Sequence, residues 1–223
     1  MVDKKLLGLF GGAFDPIHNA HISIAQNCIK KIGLNKIIFI PTGNSPINKI
    51  LSPPHHRLEM LNIICKDIYF EFSDYEINEY LNQKKISYTI NTLKYFKKRS
   101  GSTLFFILGT DVFSTINSWY QWKEILNYCH LVLIKRVDGQ SDIETMPADV
   151  KIFFNENITN DIDALKNQNH GKIYTIPMSF YNESSSEIRN RLNKNIGITK
   201  LIPKTIEDYI YLNGLYKLPG HTK

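Results

Sequence analysis

The sequence predicts an α/β protein built on a doubly wound parallel sheet with a small helical C-terminal end. Three observations predict it. Short apolar runs of strand length alternate with segments of helical periodicity along most of the chain. The first apolar run passes through Gly11 and Gly12 straight into a helical segment. The composition, 43% hydrophobic and 22% charged over 223 residues, is that of a globular domain and excludes disorder, collagen and coiled coil. Strand, helix and strand at this pitch make right-handed crossovers, which require parallel pairing with helices on both faces. A chain of this length buries roughly 70% of its unfolded surface. Residues 1–223 are therefore read as one domain that needs no disulfide or metal staple.

Each element follows from local pattern. Residues 6–10 form an apolar strand. Lys4 and Lys5 before it give the outline of a short signal peptide, but Gly11-Gly12 and Asp15-Pro16 follow where a small-residue cleavage site is required, so a buried first strand is expected. Residues 20–32 form a helix with Ile24, Ala25, Cys28 and Ile32 on one face, stopped by Gly33. Residues 36–40 are a strand ended by Pro41. Residues 56–66 are a helix carrying Leu58, Leu61, Ile64 and Cys65, and residues 68–72 a strand. Ser87 is placed to cap a helix over 88–98. Strands over 104–108 and 131–134 flank a helix over 119–128. Residues 138–172 break the rhythm as a polar, acidic excursion with room for one helix. A strand over 173–176 restores it. Ser184-x-x-Glu187 is a capping-box pattern opening a helix over 187–192. Pro203 and Gly214 bracket a last helix. The chain shows no internal repeat and no low-complexity segment.

Charge narrows the partners. Lys and Arg number 27 against 21 Asp and Glu, a formal net charge of +6. Residues 138–172 hold seven acidic and three basic side chains, a net −4, which leaves +10 elsewhere. A basic balance points to nucleic acid, a membrane surface or a phosphorylated small molecule. The basic run with interleaved aromatics, residues 94–99, closes a predicted helix, where the dipole favours cations. No apolar run approaches the ~20 residues of a membrane span. Neither nucleic acid nor membrane is therefore expected as a partner, whereas a homo-oligomer is left open. Cys28, Cys65 and Cys129 lie far apart in apolar segments without a CxxC pair, as expected of buried thiols in a reduced, cytoplasmic protein.

The chemistry concentrates after predicted strands and at helix starts. Residues 11–21, GGAFDPIHNAH, follow a strand and open a helix. Glycines there let backbone N–H groups approach a phosphate, and the helix N-terminus adds positive dipole. His18 and His21, spaced i and i+3, can face one point and donate to phosphate oxygens. A capped turn with incidental histidines is the alternative. Zinc would need a third ligand of suitable spacing, and none follows, so no protein-held metal is expected. Gly109-Thr110-Asp111 follows the strand over 104–108, where open α/β sheets bind ligands and an acid takes ribose hydroxyls. Asp111 is equally placed to cap a helix. Trp119 can stack on a flat ligand or join the core. Ser184, Ser185, Ser186 and Arg189 make a second phosphate cradle or an ordinary serine cap.

These motifs together resemble a known family. GGAFDPIHNAH is similar to the (H/T)xGH signature of the adenylyltransferase branch of the nucleotidyltransferases. His18 with Phe14-Asp15-Pro16 before it resembles the nicotinate-nucleotide adenylyltransferases, with Ala20 where that family usually has Gly. Residues 41–49, PTGNSPINK, resemble PTGxPPHK, with Ser45 and Asn48 as departures and Lys49 retained. Ser87-Tyr88-Thr89 resembles the SYT motif, and residues 183–189 resemble ISSTxIR, with Glu183 and Ser186 as departures. The resemblance spans residues 6–216, and only 138–172 carry no motif of it.

The resemblance implies a Rossmann-like nucleotidyltransferase fold and transfer of AMP from ATP to nicotinate mononucleotide, with Mg²⁺ held mainly by phosphates and water. His18 and His21 would be the catalytic pair. Gly11, Gly12, Phe14, Lys49 and Arg189 would join them around ATP, with Ser184, Ser185 and Ser186 at the phosphates and Gly109 and Asp111 at the ribose. Gly11, Asp15, Ser87, Thr89, Trp119, Tyr120 and Arg136 would hold the mononucleotide, with Thr89 at the nicotinate carboxylate and Trp119 on the pyridine ring. Preference for nicotinamide mononucleotide, and a nucleotide-binding module without turnover, are the competing expectations.

Overall fold

The protein is described by a computed structural model that covers residues 5–45, 50–136, 145–179 and 184–216. Six strands form one parallel sheet: β1 (Leu6–Gly12), β2 (Lys36–Pro41), β3 (Phe70–Phe72), β4 (Thr103–Gly109), β5 (His130–Arg136) and β6 (Ile173–Met178). Their order is β3-β2-β1-β4-β5-β6, so the direction of winding reverses between β1 and β4. Such a reversal opens a crevice at the carboxyl ends of the two strands, the place where doubly wound sheets bind ligands.

The pleat divides the core. Phe10, Ile37, Phe39, Phe105 and Ile107 face one layer, closed by α1 (Asn19–Cys28), α2 (Pro54–Ile64), α8 (Ser185–Asn193) and α9 (Lys204–Leu212). Leu9, Ile38, Phe106 and Leu108 face the other, closed by α4 (Thr89–Ser100), α5 (Thr110–Phe113) and α6 (Ala148–Asn157). Alternate residues on opposite faces, both apolar, are the mark of a strand covered on both sides. The predicted doubly wound class is therefore the observed one. No helix among the described residues is long and apolar enough to cross a membrane.

Several boundaries differ from expectation for identifiable reasons. The first helix ends at Cys28 and passes into a π-turn, Ile29–Gly33, before Gly33 turns the chain with φ +81°. α2 starts two residues early, with Pro54 in its first turn, where a missing N–H costs nothing. α3 (Tyr75–Gln83) is unanticipated; it is short and polar, and although its apolar residues share one face, Ile77 alone in it is fully buried. The helix expected over 119–128 is instead a 3₁₀ segment, Trp122–Asn127, entered at Gln121 with φ 52°; another, Ile116–Ser118, precedes it.

Residues 138–172 need the largest correction. Their described part is no excursion but the crossover between β5 and β6, made of α6 and α7 (Ile162–Asn167). Met146, Val150, Phe154 and Leu165 are buried against the sheet, while Asp149, Glu156, Asp161 and Asp163 stay exposed. Asp161 also caps α7 by accepting the Asp163 backbone N–H at 2.8 Å. Cys28 and Cys129 are buried and Cys65 half-buried. Burial pushes the thiols of Cys28 and Cys65 up to about 12 and raises Cys129 likewise.

Candidate active site

The site is assembled around the turn that leaves β1. Phe14, at φ 47°, folds its ring inward, where it meets Phe39 and His21 edge-on at 5.5 and 5.1 Å. The Asp15–Pro16 peptide is cis. Phe14 is thus the floor of the turn rather than a group on its open side.

His18 is the residue at the N-terminal boundary of α1, and His21 lies within the first turn. The two rings face each other with centroids 3.7 Å apart. The His18 backbone N–H donates to His21 Nδ1 at 3.3 Å. Nδ1 of neutral His21 is therefore the acceptor, and its proton sits on Nε2. His18 is buried, and its side chain turns back toward the His21 backbone N–H in a reciprocal capping box at the start of α1. Burial pushes the His18 imidazole down to about 4. Burial and then the neighbouring His18 ring hold His21 well below the usual range. Both rings are neutral near pH 7.

The start of α8 docks on this same turn. Ser184 caps the helix by accepting the Glu187 N–H at 3.1 Å, as its capping pattern predicts. Ser185 Oγ donates to the Pro16 carbonyl at 2.9 Å. Arg189 Nη1 donates to the Asp15 carbonyl at 2.6 Å, and Nη2 to Ser186 Oγ at 3.2 Å. Two motifs about 170 residues apart in sequence thereby form one polar surface of imidazoles, hydroxyls and a guanidinium.

Across the crevice, β4 ends at Gly109. The residue bounding α5 is Gly109, so Asp111 is not its cap, and its side chain is exposed. The Asp111 carboxylate folds back on the strand end: a Cβ on Gly109 would meet Asp111 Oδ1 at 2.3 Å. A side chain at position 109 would require that exposed carboxylate to swing away. Trp119 is half-buried with its edge on Phe106, centroids 6.4 Å apart, and Tyr120 lies against Tyr88 at 4.9 Å. Thr89 is the first residue of α4.

Ser87 is not the cap of α4; Tyr88 takes that position. Ser87 Oγ accepts the Asn44 N–H at 3.2 Å and also bonds Glu76. Lys49 and the departures Asn48 and Glu183 lie outside the described residues, as does the Arg136 side chain, although its backbone ends β5. Asp15 is buried with both carboxylate oxygens engaged. Oδ2 accepts the Ser52 N–H at 3.0 Å and Oδ1 accepts the Tyr216 hydroxyl at 2.7 Å. Gly11 and Gly12 form the half-buried end of β1, beside Pro41 of β2.

Three residues escape the sequence reading. Arg57 of α2 is fully buried and donates to the carbonyls of Ala13, Thr42 and Ser52 at 3.1, 2.9 and 3.2 Å. Its signal was weak: it lies three residues before Met60 on the buried face of α2. Tyr216 follows a glycine turn in no recognisable pattern. Glu76, on the unanticipated α3, accepts from Thr92 Oγ1 at 2.7 Å, from Ser87 and from the Gly43 N–H. Burial raises its carboxyl above the usual range against those three bonds. Among the described residues, no cluster of three or more His, Cys, Asp or Glu side chains is arranged to hold a metal ion.

This geometry has relatives. A sequence model of the cytidylyltransferase-like family matches residues 9–191. The chain is 34% identical over 221 residues to a probable nicotinate-nucleotide adenylyltransferase of Clostridium botulinum (strain Okra / Type B1), covering 97% of this chain and 100% of that one. It is 32% identical over 213 residues to a protein of the same name from Shewanella frigidimarina, covering 95% and 99%. In fold it is similar to Plasmodium falciparum nicotinic acid mononucleotide adenylyltransferase complexed with NaAD. The TM-score is 0.71 at 22% identity, covering 95% of this chain and 97% of that one.

Proposed function

The chain belongs to the nicotinate-nucleotide adenylyltransferases, within the cytidylyltransferase-like family, and we propose that it transfers AMP from ATP to nicotinate mononucleotide. The products are nicotinate adenine dinucleotide and pyrophosphate. The observation that carries the mechanism is the stacked His18–His21 pair on the turn where the start of α8 docks.

An oxygen of the mononucleotide phosphate attacks the α-phosphorus of ATP. The bond from that phosphorus to the α–β bridging oxygen breaks, and its electrons leave with pyrophosphate. A phosphate ester is mostly dianionic at pH 7 and needs no general base. The protein's work is then alignment and stabilisation of charge around the α-phosphorus. His21 donates from Nε2 to phosphate oxygens and the His18 imidazole lies beside it, and the arriving negative charge favours their protonated forms. Arg189 and the hydroxyls of Ser185 and Ser186 hold the leaving phosphates, as does Lys49. ATP enters as its magnesium complex, the ion being part of the substrate and keeping phosphate and water ligands.

Asp111, exposed at the end of β4, takes the adenosine ribose hydroxyls. Thr89 and the free N–H groups opening α4 receive the nicotinate carboxylate, while Trp119 stacks on the pyridine ring. Ser87 supports them from behind by tying Asn44 and Glu76 to the α4 entry. Asp15 acts on the turn and not on the mononucleotide. The test is pyrophosphate release from MgATP with each mononucleotide in turn. Release is expected with nicotinate mononucleotide and at least tenfold more slowly with the nicotinamide form. Equal or faster release with nicotinamide mononucleotide would overturn the acceptor, and ATP binding without release would show a module without turnover.

A further inference from the structure

The buried cluster behind the β1–α1 turn has no part in phosphate binding. Asp15 and Arg57 are each 1% exposed. Four segments remote in sequence meet on them: the turn itself at Ala13, the end of β2 at Thr42, the entry to α2 at Ser52, and Tyr216 beyond α9. The turn is held largely from outside. The Ala13 carbonyl accepts from Arg57, the Asp15 carbonyl from Arg189, the Pro16 carbonyl from Ser185, and the Asn19 N–H donates to the Leu201 carbonyl.

These outside contacts are of two kinds. Arg189 and Ser185 are the groups assigned above to phosphate: the single Ser185 hydroxyl proton cannot serve the turn and a phosphate at once, whereas Arg189 gives the turn only one of its five N–H groups. Tyr216 and Arg57 are bound instead to the Asp15 carboxylate and to the carbonyls of Ala13, Thr42 and Ser52. A phenol donating to a buried carboxylate makes a charge-assisted bond, stronger than a neutral one. Burial and the Asp15 carboxylate raise the Tyr216 phenol far above its ordinary range, so it moves no proton near pH 7. What is left to it is geometry.

We propose that Tyr216 is a positioning residue for adenylyl transfer: its hydroxyl fixes the Asp15 carboxylate against Ser52, and thereby the turn that aims His18 and His21 at the phosphates. This rests on the reading of those histidines as the phosphate-binding pair. Displacing catalytic groups by a fraction of an ångström penalises the transition state more than substrate binding.

The experiment compares Tyr216→Phe with a matched control, Tyr209→Phe. Tyr209 also sits at the C-terminal end, and its hydroxyl bonds His56 Nδ1 at 2.8 Å, away from the turn. In Tyr216→Phe, kcat is expected to fall about tenfold with both KM values within about twofold, the signature of an interaction felt in the transition state. Tyr209→Phe is expected to keep the wild-type kcat. NMR spectra of the imidazoles supply a second readout that needs no turnover: signals of His18 and His21 shift in Tyr216→Phe, and those of His130 do not. A wild-type kcat with unmoved His18 and His21 signals would overturn the proposal, as would an equal loss of kcat in both variants. Failure of the functional reading looks different, because the wild-type chain itself would then release no pyrophosphate.

Discussion

A histidine whose Nδ1 accepts a backbone N–H presents a protonated Nε2, and the helix start holds His21 in that state. Such a donor acts on an oxygen that gains charge in the transition state. Replacing His21 by Ala is expected to lower kcat by about 10³-fold, about 4 kcal/mol of lost transition-state stabilisation, with the fold intact. Rapid-quench turnover alongside circular dichroism checks both halves of that statement. Trp119→Ala is expected to raise KM for the mononucleotide severalfold while KM for ATP stays within about twofold, since one ring face is at stake. Steady-state kinetics with each substrate varied in turn reads this directly. The histidines also set a pH dependence. His18 and His130 are pushed down to about 4 by burial, against about 6.5 unfolded. Between those values the unfolded chain binds more protons, so stability falls as pH falls. Each ring costs about 2 kcal/mol at pH 5 relative to pH 7. His21, also held well below the usual range, adds to this loss; urea unfolding at the two pH values should show it, and His18→Gln should remove only the share of that one ring.

At the scale of elements, the site exists because α8 and the β1–α1 turn share hydrogen bonds, and because Arg57 binds three segments at once. Arg57→Ala is expected to destabilise the fold by about 3–5 kcal/mol, because it strips three carbonyls of their donor and leaves Asp15 without its buried counter-charge. Arg57→Lys should recover little of this, since an ammonium lacks the planar fork. A chemical denaturation midpoint for each variant decides it. Elements with a wide apolar face were legible from sequence: α1, α4 and the six strands. α3 was not, although its apolar residues share one face: it is short and polar, and only Ile77 in it is fully buried. The segment after Trp119 broke into 3₁₀ turns at Gln121, where a left-handed backbone interrupts a pattern that otherwise reads as helical. The acidic crossover was misread for a simpler reason. Its charges are conspicuous in sequence and lie outside, while Met146, Val150, Phe154 and Leu165 carry its contact with the sheet.

At the scale of the whole molecule, the reversal of winding between β1 and β4 brings their carboxyl ends together, and the glycine motifs were legible because they sit at those ends. The pairing of the glycine turn with the serine cap of α8 was legible only as two separate anion cradles; their contact across the chain is tertiary information. The Asp15–Tyr216 bond joins residues 201 apart, and a half-buried phenol beyond the last helix has no periodic signature to announce it. The formal net charge of +6 likewise says little about function. The positive groups assigned to substrate are Arg189 and Lys49, and the polar surface is otherwise neutral imidazole and hydroxyl. Transfer of the α-phosphoryl group is therefore the claim on which the residue roles depend. The direct measurement follows label from ATP carrying ³²P at the α position, incubated with Mg²⁺ and nicotinate mononucleotide. The account predicts label in a dinucleotide, released with one unlabelled pyrophosphate per turnover. Label remaining in ATP, or appearing in ADP or free AMP instead, would contradict it.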